Sequence, residues 1–221
     1  MKLRKIWFAV LILFMMMSIW FKNTGIADDM FWAIYGIGIA IWFLGAIVIN
    51  QKWLQEFYKE LEQKAPLMKS DAEQYIKEME ALLEGKKSPM LIAILLNNIG
   101  AGYLCKREYE TATKKLLTVP AKGIKKFLAP IYYSNLAQAL YCSGKEDAFL
   151  KLLVLKVLEL EMYKEMAKKD TTLEANAISM DLYRMLAEGQ KKEVKKILAE
   201  HPEWEQDENW RNPLDVIKQK L

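Results

Sequence analysis

Leu96-Asn97-Asn98-Ile99-Gly100-Ala101-Gly102-Tyr103 and its near-copy Tyr133-Ser134-Asn135-Leu136-Ala137-Gln138-Ala139-Leu140 decide the fold. Both place apolar residues at helical spacing around a small central residue, Gly100 in the first and Ala137 in the second. Asn98 is matched by Asn135 and Cys105 by Cys142, each pair separated by 37 positions. A second helical pattern follows each copy. After the first it carries Tyr109, Ala112 and Leu116, with Pro120 near its end; after the second, Ala148 and Leu152. Gly144 falls in the second turn, which is expected to be one residue shorter than the first. Gly100 is the small position that lets the paired helices approach, and Ala112 is its counterpart. Ile99, Tyr103 and Leu116 fill the space between them.

Working outward, the whole chain after Gln51 reads as helix. Trp53, Leu54, Phe57, Tyr58 and Leu61 have helical spacing up to Pro66. Ser70-Asp-Ala-Glu73 reads as a capping box before Ile76, Met79, Leu82 and Leu83, and Gly85 ends that helix. Ser88-Pro89 starts the next, with serine as cap and proline in the first turn. A third helix pair is expected from the capping box Thr171-Thr-Leu-Glu174, through a turn at Gly189, to Ala199. Trp204, Trp210 and a short helix after Pro213 are expected to cover the last pair.

The two copies resemble the tetratricopeptide repeat (TPR), whose first helix takes a large residue, then Leu, Gly and Tyr, at a period of about 34 residues. The extra residues fall around Ala121 to Phe127. The resemblance covers roughly residues 89–160, and 170–200 as helix–turn–helix shape alone, which suits a terminal unit. It implies an all-α fold, a superhelix of antiparallel helix pairs over 89–200 with a capping segment at 201–221. It also implies a groove, lined by the first helix of each pair, that takes peptides or protein segments. Carried over residue by residue, the groove positions are Asn97, Asn98 and Ala101, then Ser134, Asn135, Gln138 and Tyr141. The lysines and arginines that complete a carboxylate clamp in some TPR proteins are not matched.

Before Asn50 the chain changes character. Ile6 to Phe21 and Met30 to Ile49 are uncharged runs of about 16 and 20 residues. About 20 residues of helix cross a hydrocarbon core of about 30 Å. The second run fits directly; the first is short, but Lys5 and Lys22 can snorkel. Residues 1–50 therefore read as two transmembrane helices (about 6–21 and 30–49), followed by juxtamembrane and linking helices over 51–88. Trp7, Trp20, Trp32 and Trp53 sit where interfacial aromatics belong. Lys2, Arg4 and Lys5 precede the first span and Lys52, Lys59 and Lys64 follow the second. The positive-inside rule thus places both ends, and the large domain, in the cytoplasm. A signal peptide cleaved at Gly25-Ile26-Ala27 is the rival reading of the first run, and it leaves the domain on the same side. Gly36, Gly38 and Gly45 suit close helix packing but form no GxxxG motif. No ionisable residue interrupts either run, so the pair reads as an anchor rather than a transport path.

Composition removes several function classes. A net charge of +4 argues against nucleic acid, and two cysteines with one histidine argue against a disulfide framework or a transition-metal site. His201 has no acid or nucleophile partner in sequence, and no phosphate loop or nucleophile elbow occurs. No cofactor and no catalysis are expected. The cysteines read as packing residues. Lys114, Lys115, Lys122, Lys125 and Lys126 read either as a solvated face or as contacts for anionic headgroups, and Lys191, Lys192, Lys195 and Lys196 likewise. The organisation resembles bacterial membrane proteins with a small TPR domain. The expectation is a scaffold that holds a protein or peptide partner at the membrane, or alternatively a structural subunit of a larger membrane complex such as a transporter.

Overall fold

The computed structural model describes the backbone of residues 2–24 and 28–221 and the side chains of residues 6–20, 22–24 and 30–221. The protein is all-helical, with no strand among the described residues. It divides into two compact units, residues 1–63 and 64–221.

The first unit holds α1 (Lys2–Lys22) and nearly all of α2 (Asp28–Lys64). At 1.5 Å per residue α2 is about 55 Å long, and it passes Asn50 without a break. The polar sequence after Gln51 therefore continues the apolar helix. By length and composition α2 is the one helix among the described residues able to cross a bilayer; the apolar part of α1, Ile6–Trp20, is shorter. Many apolar side chains of α2 face outward, with Ile37, Ile41 and Leu44 all more than half exposed, while Phe31 and Phe57 are buried. Where α1 and α2 meet, the indole N–H of Trp7 donates to the Trp42 carbonyl at 3.2 Å and that of Trp42 donates to the Trp7 carbonyl at 3.2 Å. A Cβ on Gly38 would strike the Phe14 ring, and one on Gly45 the Trp7 ring. These two glycines let aromatic rings lie directly on the α2 backbone, whereas Gly36 faces open space. The Gly25-Ile26-Ala27 site and the side chains of Lys2, Arg4 and Lys5 lie outside the described residues.

The second unit contains α3 (Leu67–Ser70), α4 (Ala72–Leu83), α5 (Pro89–Cys105), α6 (Tyr109–Leu117), α7 (Ala129–Cys142) and α8 (Glu146–Leu155). After these come α9 (Val157–Ala167), α10 (Thr171–Ala187), α11 (Lys191–Glu200) and α12 (Arg211–Lys220). Two caps lie one residue from their expected places. Asp71, not Ser70, caps α4, accepting from the Gln74 N–H at 2.9 Å. Asp170, not Thr171, caps α10, accepting from the Thr172 N–H at 3.0 Å. In both places an ionised carboxylate is available one residue from a hydroxyl, and negative charge is favoured at a helix N-terminus.

Three helix pairs, α5/α6, α7/α8 and α10/α11, are closed by the same three-residue turn. Its middle residue is left-handed: Arg107 at φ 63°, Gly144 at 77° and Gly189 at 82°. The next N–H reaches back five residues in each, from Glu108 to the Tyr103 carbonyl, Lys145 to Leu140 and Gln190 to Met185. This is the Schellman closure, which satisfies the orphan carbonyls of the first helix. The turn of the second pair is thus not shorter than that of the first. Equal turns change the expected pairing, because the position matching Ala112 is Phe149 and not Ala148. Phe149 is fully buried, while Ala148 is exposed. The role of Gly100 is as expected: a Cβ there would come within 2.6 Å of the Leu116 side chain, and Leu116 is fully buried.

The core runs through Met79, Leu95, Ile99, Leu116, Tyr141, Phe149 and Tyr183, all fully buried. Helix α9 is an addition to the paired plan. It breaks from α8 at Lys156 and packs on α7 and α10. The C-terminal segment packs on α10, burying Trp210, Leu214 and Ile217. It also bonds back to α3 through Lys69 to Asn209 at 2.9 Å and to the α5/α6 turn through Arg107 to Asp215 at 2.7 Å. It covers the last pair through α10, as expected, and also straps across the unit.

Candidate functional site

The second unit encloses a cavity of about 700 Å³ between α5, α7, α10 and the C-terminal strap. Its floor is rich in side-chain amides. Asn97 and Asn98 come from α5, Asn135 and Gln138 from α7, and Asn176 from α10. The helix pairs explain this convergence. Each Schellman turn returns the chain so that the first helices of successive pairs lie side by side, and residues three or four apart on each share one face.

The amides are partly engaged with one another. Asn135 donates to the Asn97 side-chain oxygen at 3.1 Å, and Gln138 to that of Asn176 at 3.4 Å. Asn97 is only 3% exposed, so its bond to Asn135 satisfies a buried polar group and ties α5 to α7. Asn98, Ala101, Asn135 and Gln138 are half-buried and line the cavity. Ser134 and Tyr141 do not reach it. Ser134 is buried beside the Tyr163 hydroxyl, and burial raises the Tyr163 pKa. Tyr141 is fully buried with its ring stacked 4.4 Å from that of Tyr183. Its placement in the groove is therefore corrected: it lies on the face of α7 turned to α8 and α10, where a large ring fills the space between pairs.

Sequence reasoning missed three parts of the site. Tyr163 enters from α9, a helix absent from the repeat pattern. Asn176 sits on α10, where the third pair has a different register. The cavity rim carries Lys69, Lys106, Arg107 and Arg211 against a single carboxylate, Glu208. Lys106 is paired with Glu108 at 2.8 Å and Arg107 with Asp215 at 2.7 Å. Lys69 donates to the neutral amide of Asn209, so its charge stays with the rim. No family model, curated protein or solved structure matches this chain.

Chemically, the cavity offers amide donors and acceptors, one phenol and a basic rim. Such a surface can hold an extended polypeptide by its backbone and favours acidic side chains at the edge. Among the described residues no group of three His, Cys, Asp or Glu side chains is placed to hold a metal ion.

The cysteines differ in accessibility. Burial pushes the Cys142 thiol up to about 12; the Cys105 thiol is also raised by burial, although the residue is exposed. At pH 8 only about one Cys142 in 10⁴ is then thiolate, against about a quarter for an ordinary thiol. Iodoacetamide at pH 8 is expected to alkylate Cys142 roughly 10³-fold more slowly in the folded protein than in urea. Mass spectrometry of quenched time points checks this; equal rates would show that the thiol is not shielded.

Proposed function

We propose that this chain is a membrane-anchored interaction scaffold that holds an extended segment of a protein partner in the amide-lined cavity. The observation that carries the reading is the convergence of Asn98, Asn135, Gln138 and Asn176 from three helix pairs on one cavity of about 700 Å³. In this reading α1 and α2 form a two-span membrane hairpin, both termini and the large unit are cytoplasmic, and α5 to α11 form a TPR-like superhelix. The outward apolar surface of α2 supports a membrane span, and the three identical pair turns support a repeated helix pair. The orientation rests on the lysines that flank the apolar runs.

The test is photo-crosslinking in native membranes, with a photoreactive residue replacing Ala101 in the full-length protein. Crosslinked peptides from a second protein are expected. Removing two hydrogen-bonding side chains with Asn98→Ala/Gln138→Ala should weaken their recovery about tenfold or more, at about 1 kcal/mol per bond. Helicity should be unchanged. Crosslinks confined to this chain, or recovery of membrane subunits that ignores the double substitution, would remove the groove reading. The second of these outcomes would make the repeats a structural part of a membrane complex.

A further inference from the structure

One end of the second unit carries an apolar surface that the groove does not use. The Tyr132 hydroxyl donates to the Leu116 carbonyl at 3.2 Å, which joins the C-terminal end of α6 to the first turn of α7. The Lys156 ammonium lies 4.5 Å from the Tyr133 ring centre, which joins the α8–α9 break to the same turn. These two ties bring together Leu117, Phe127, Val154, Leu155, Val157 and Leu158. Every one of them is more than half exposed, and Val154 and Leu158 reach 78% and 75%. Single exposed apolar residues are ordinary, but six on segments tied to one helix turn mark a contact surface.

The charge around the cluster says what it contacts. The segments 117–133 and 148–158 contain Lys122, Lys125, Lys126, Lys151 and Lys156 and no aspartate or glutamate. Lys156 pairs with Glu159 at 3.5 Å, just past the second segment. Elsewhere in this unit lysines alternate with carboxylates and pair with them, as Lys64 does with Glu78 and Lys164 with Asp181. Lys122, Lys125, Lys126 and Lys151 stand in stretches without an acid. A protein partner of ordinary composition gives no reason for four such cations with no intervening acid. An anionic headgroup layer over an apolar interior does, because it accepts the ammonium groups and the large side chains at successive depths.

We propose that this end of the repeat unit docks on an anionic lipid surface, with Phe127 and the Val154–Leu158 side chains entering the interface and the lysines on the headgroups. The docking rests on the reading that the chain is held at a membrane, and it is independent of what the groove binds.

The test uses the full chain in proteoliposomes, in a Cys105→Ser/Cys142→Ala background, with an NBD fluorophore on Leu158→Cys or, as control, on Lys192→Cys of α11. Vesicles are phosphatidylcholine with about 30% phosphatidylglycerol and a shallow doxyl-labelled lipid as quencher. Flotation with the vesicles establishes that the chain is membrane-bound; failure to float sinks the anchor reading first. For floating protein, quenching is expected at position 158 and not at 192. The quenching at 158 should be mostly lost in pure phosphatidylcholine and in Lys125→Glu/Lys126→Glu/Lys151→Glu. Equal, weak quenching at both positions overturns the docking. Quenching that ignores both anionic lipid and charge reversal overturns its headgroup chemistry. A blue-shifted but unquenched label at 158 overturns the docking and assigns the cluster to contact with a second copy of this chain.

Discussion

Replacing Tyr141 by alanine is expected to lower the stability of the second unit by roughly 3–5 kcal/mol. The side chain is fully buried, its ring lies 4.4 Å from that of Tyr183 and 5.2 Å from that of Phe149, and it joins α7 to both α8 and α10. Truncation removes the transfer free energy of the ring and leaves a cavity walled by two other large aromatics that cannot both close in. A domain of this size has about 5–15 kcal/mol in total, so the substitution takes a large share of it. Thermal or urea unfolding of the full-length protein, followed by circular dichroism at 222 nm, measures the loss. Asn98→Ala in the same assay is expected to stay within about 1 kcal/mol, because that side chain is half-buried at a cavity wall. The contrast separates a core residue from a groove residue, though both lie on first helices. A Tyr141→Ala protein that melts like wild type would mean that the α7–α10 packing is not the native one.

What could be read from sequence was whatever a period of helical spacing or a special backbone conformation leaves behind. Gly100 opposite Leu116 and the left-handed Gly144 and Gly189 belong to this class, since a missing Cβ has one structural use at each. Arg107 was not legible as the third left-handed residue, because a non-glycine seldom takes that conformation. The error of one residue in the second turn followed from it: without Arg107 as the match to Gly144, Ala148 looked like the partner of Ala112. In the candidate site, Asn98, Ala101, Asn135 and Gln138 were reachable because they repeat on equivalent helices. Ser134 and Tyr141 were misplaced, as a helix face read from spacing is uncertain by about one residue, or about 100°. Tyr163, Asn176 and the cationic rim depend on which distant segments meet, and local pattern holds no record of that. For α2 the hydropathy of the chain sufficed, since its outward apolar face is a property of the helix alone.

The strap supplies the other large effect. Trp210→Ala is expected to cost roughly 3–5 kcal/mol and to free the C-terminal segment. Trp210 is 3% exposed and stacks 3.8 Å from Trp204, which in turn stacks on His201 at 4.3 Å. Leu214 and Ile217 continue the same buried face onto α10. The polar ties across the strap are weaker anchors. Arg107 and Asp215, like Lys220 and Glu146, are well exposed, and exposed pairs contribute about 0–1 kcal/mol. Arg107→Ala should therefore leave the strap in place with a loss of about 1 kcal/mol or less. Hydrogen exchange distinguishes the two variants. In Trp210→Ala the amides of residues 211–220 should lose protection before the rest of the unit unfolds, whereas in Arg107→Ala they should stay protected. Because Asn209, Arg211 and Asn212 form one wall of the cavity, loss of the strap also removes that wall. Protection of 211–220 that survives Trp210→Ala would show that Leu214 and Ile217 suffice to hold the segment, and that the tryptophan stack is not its fastening.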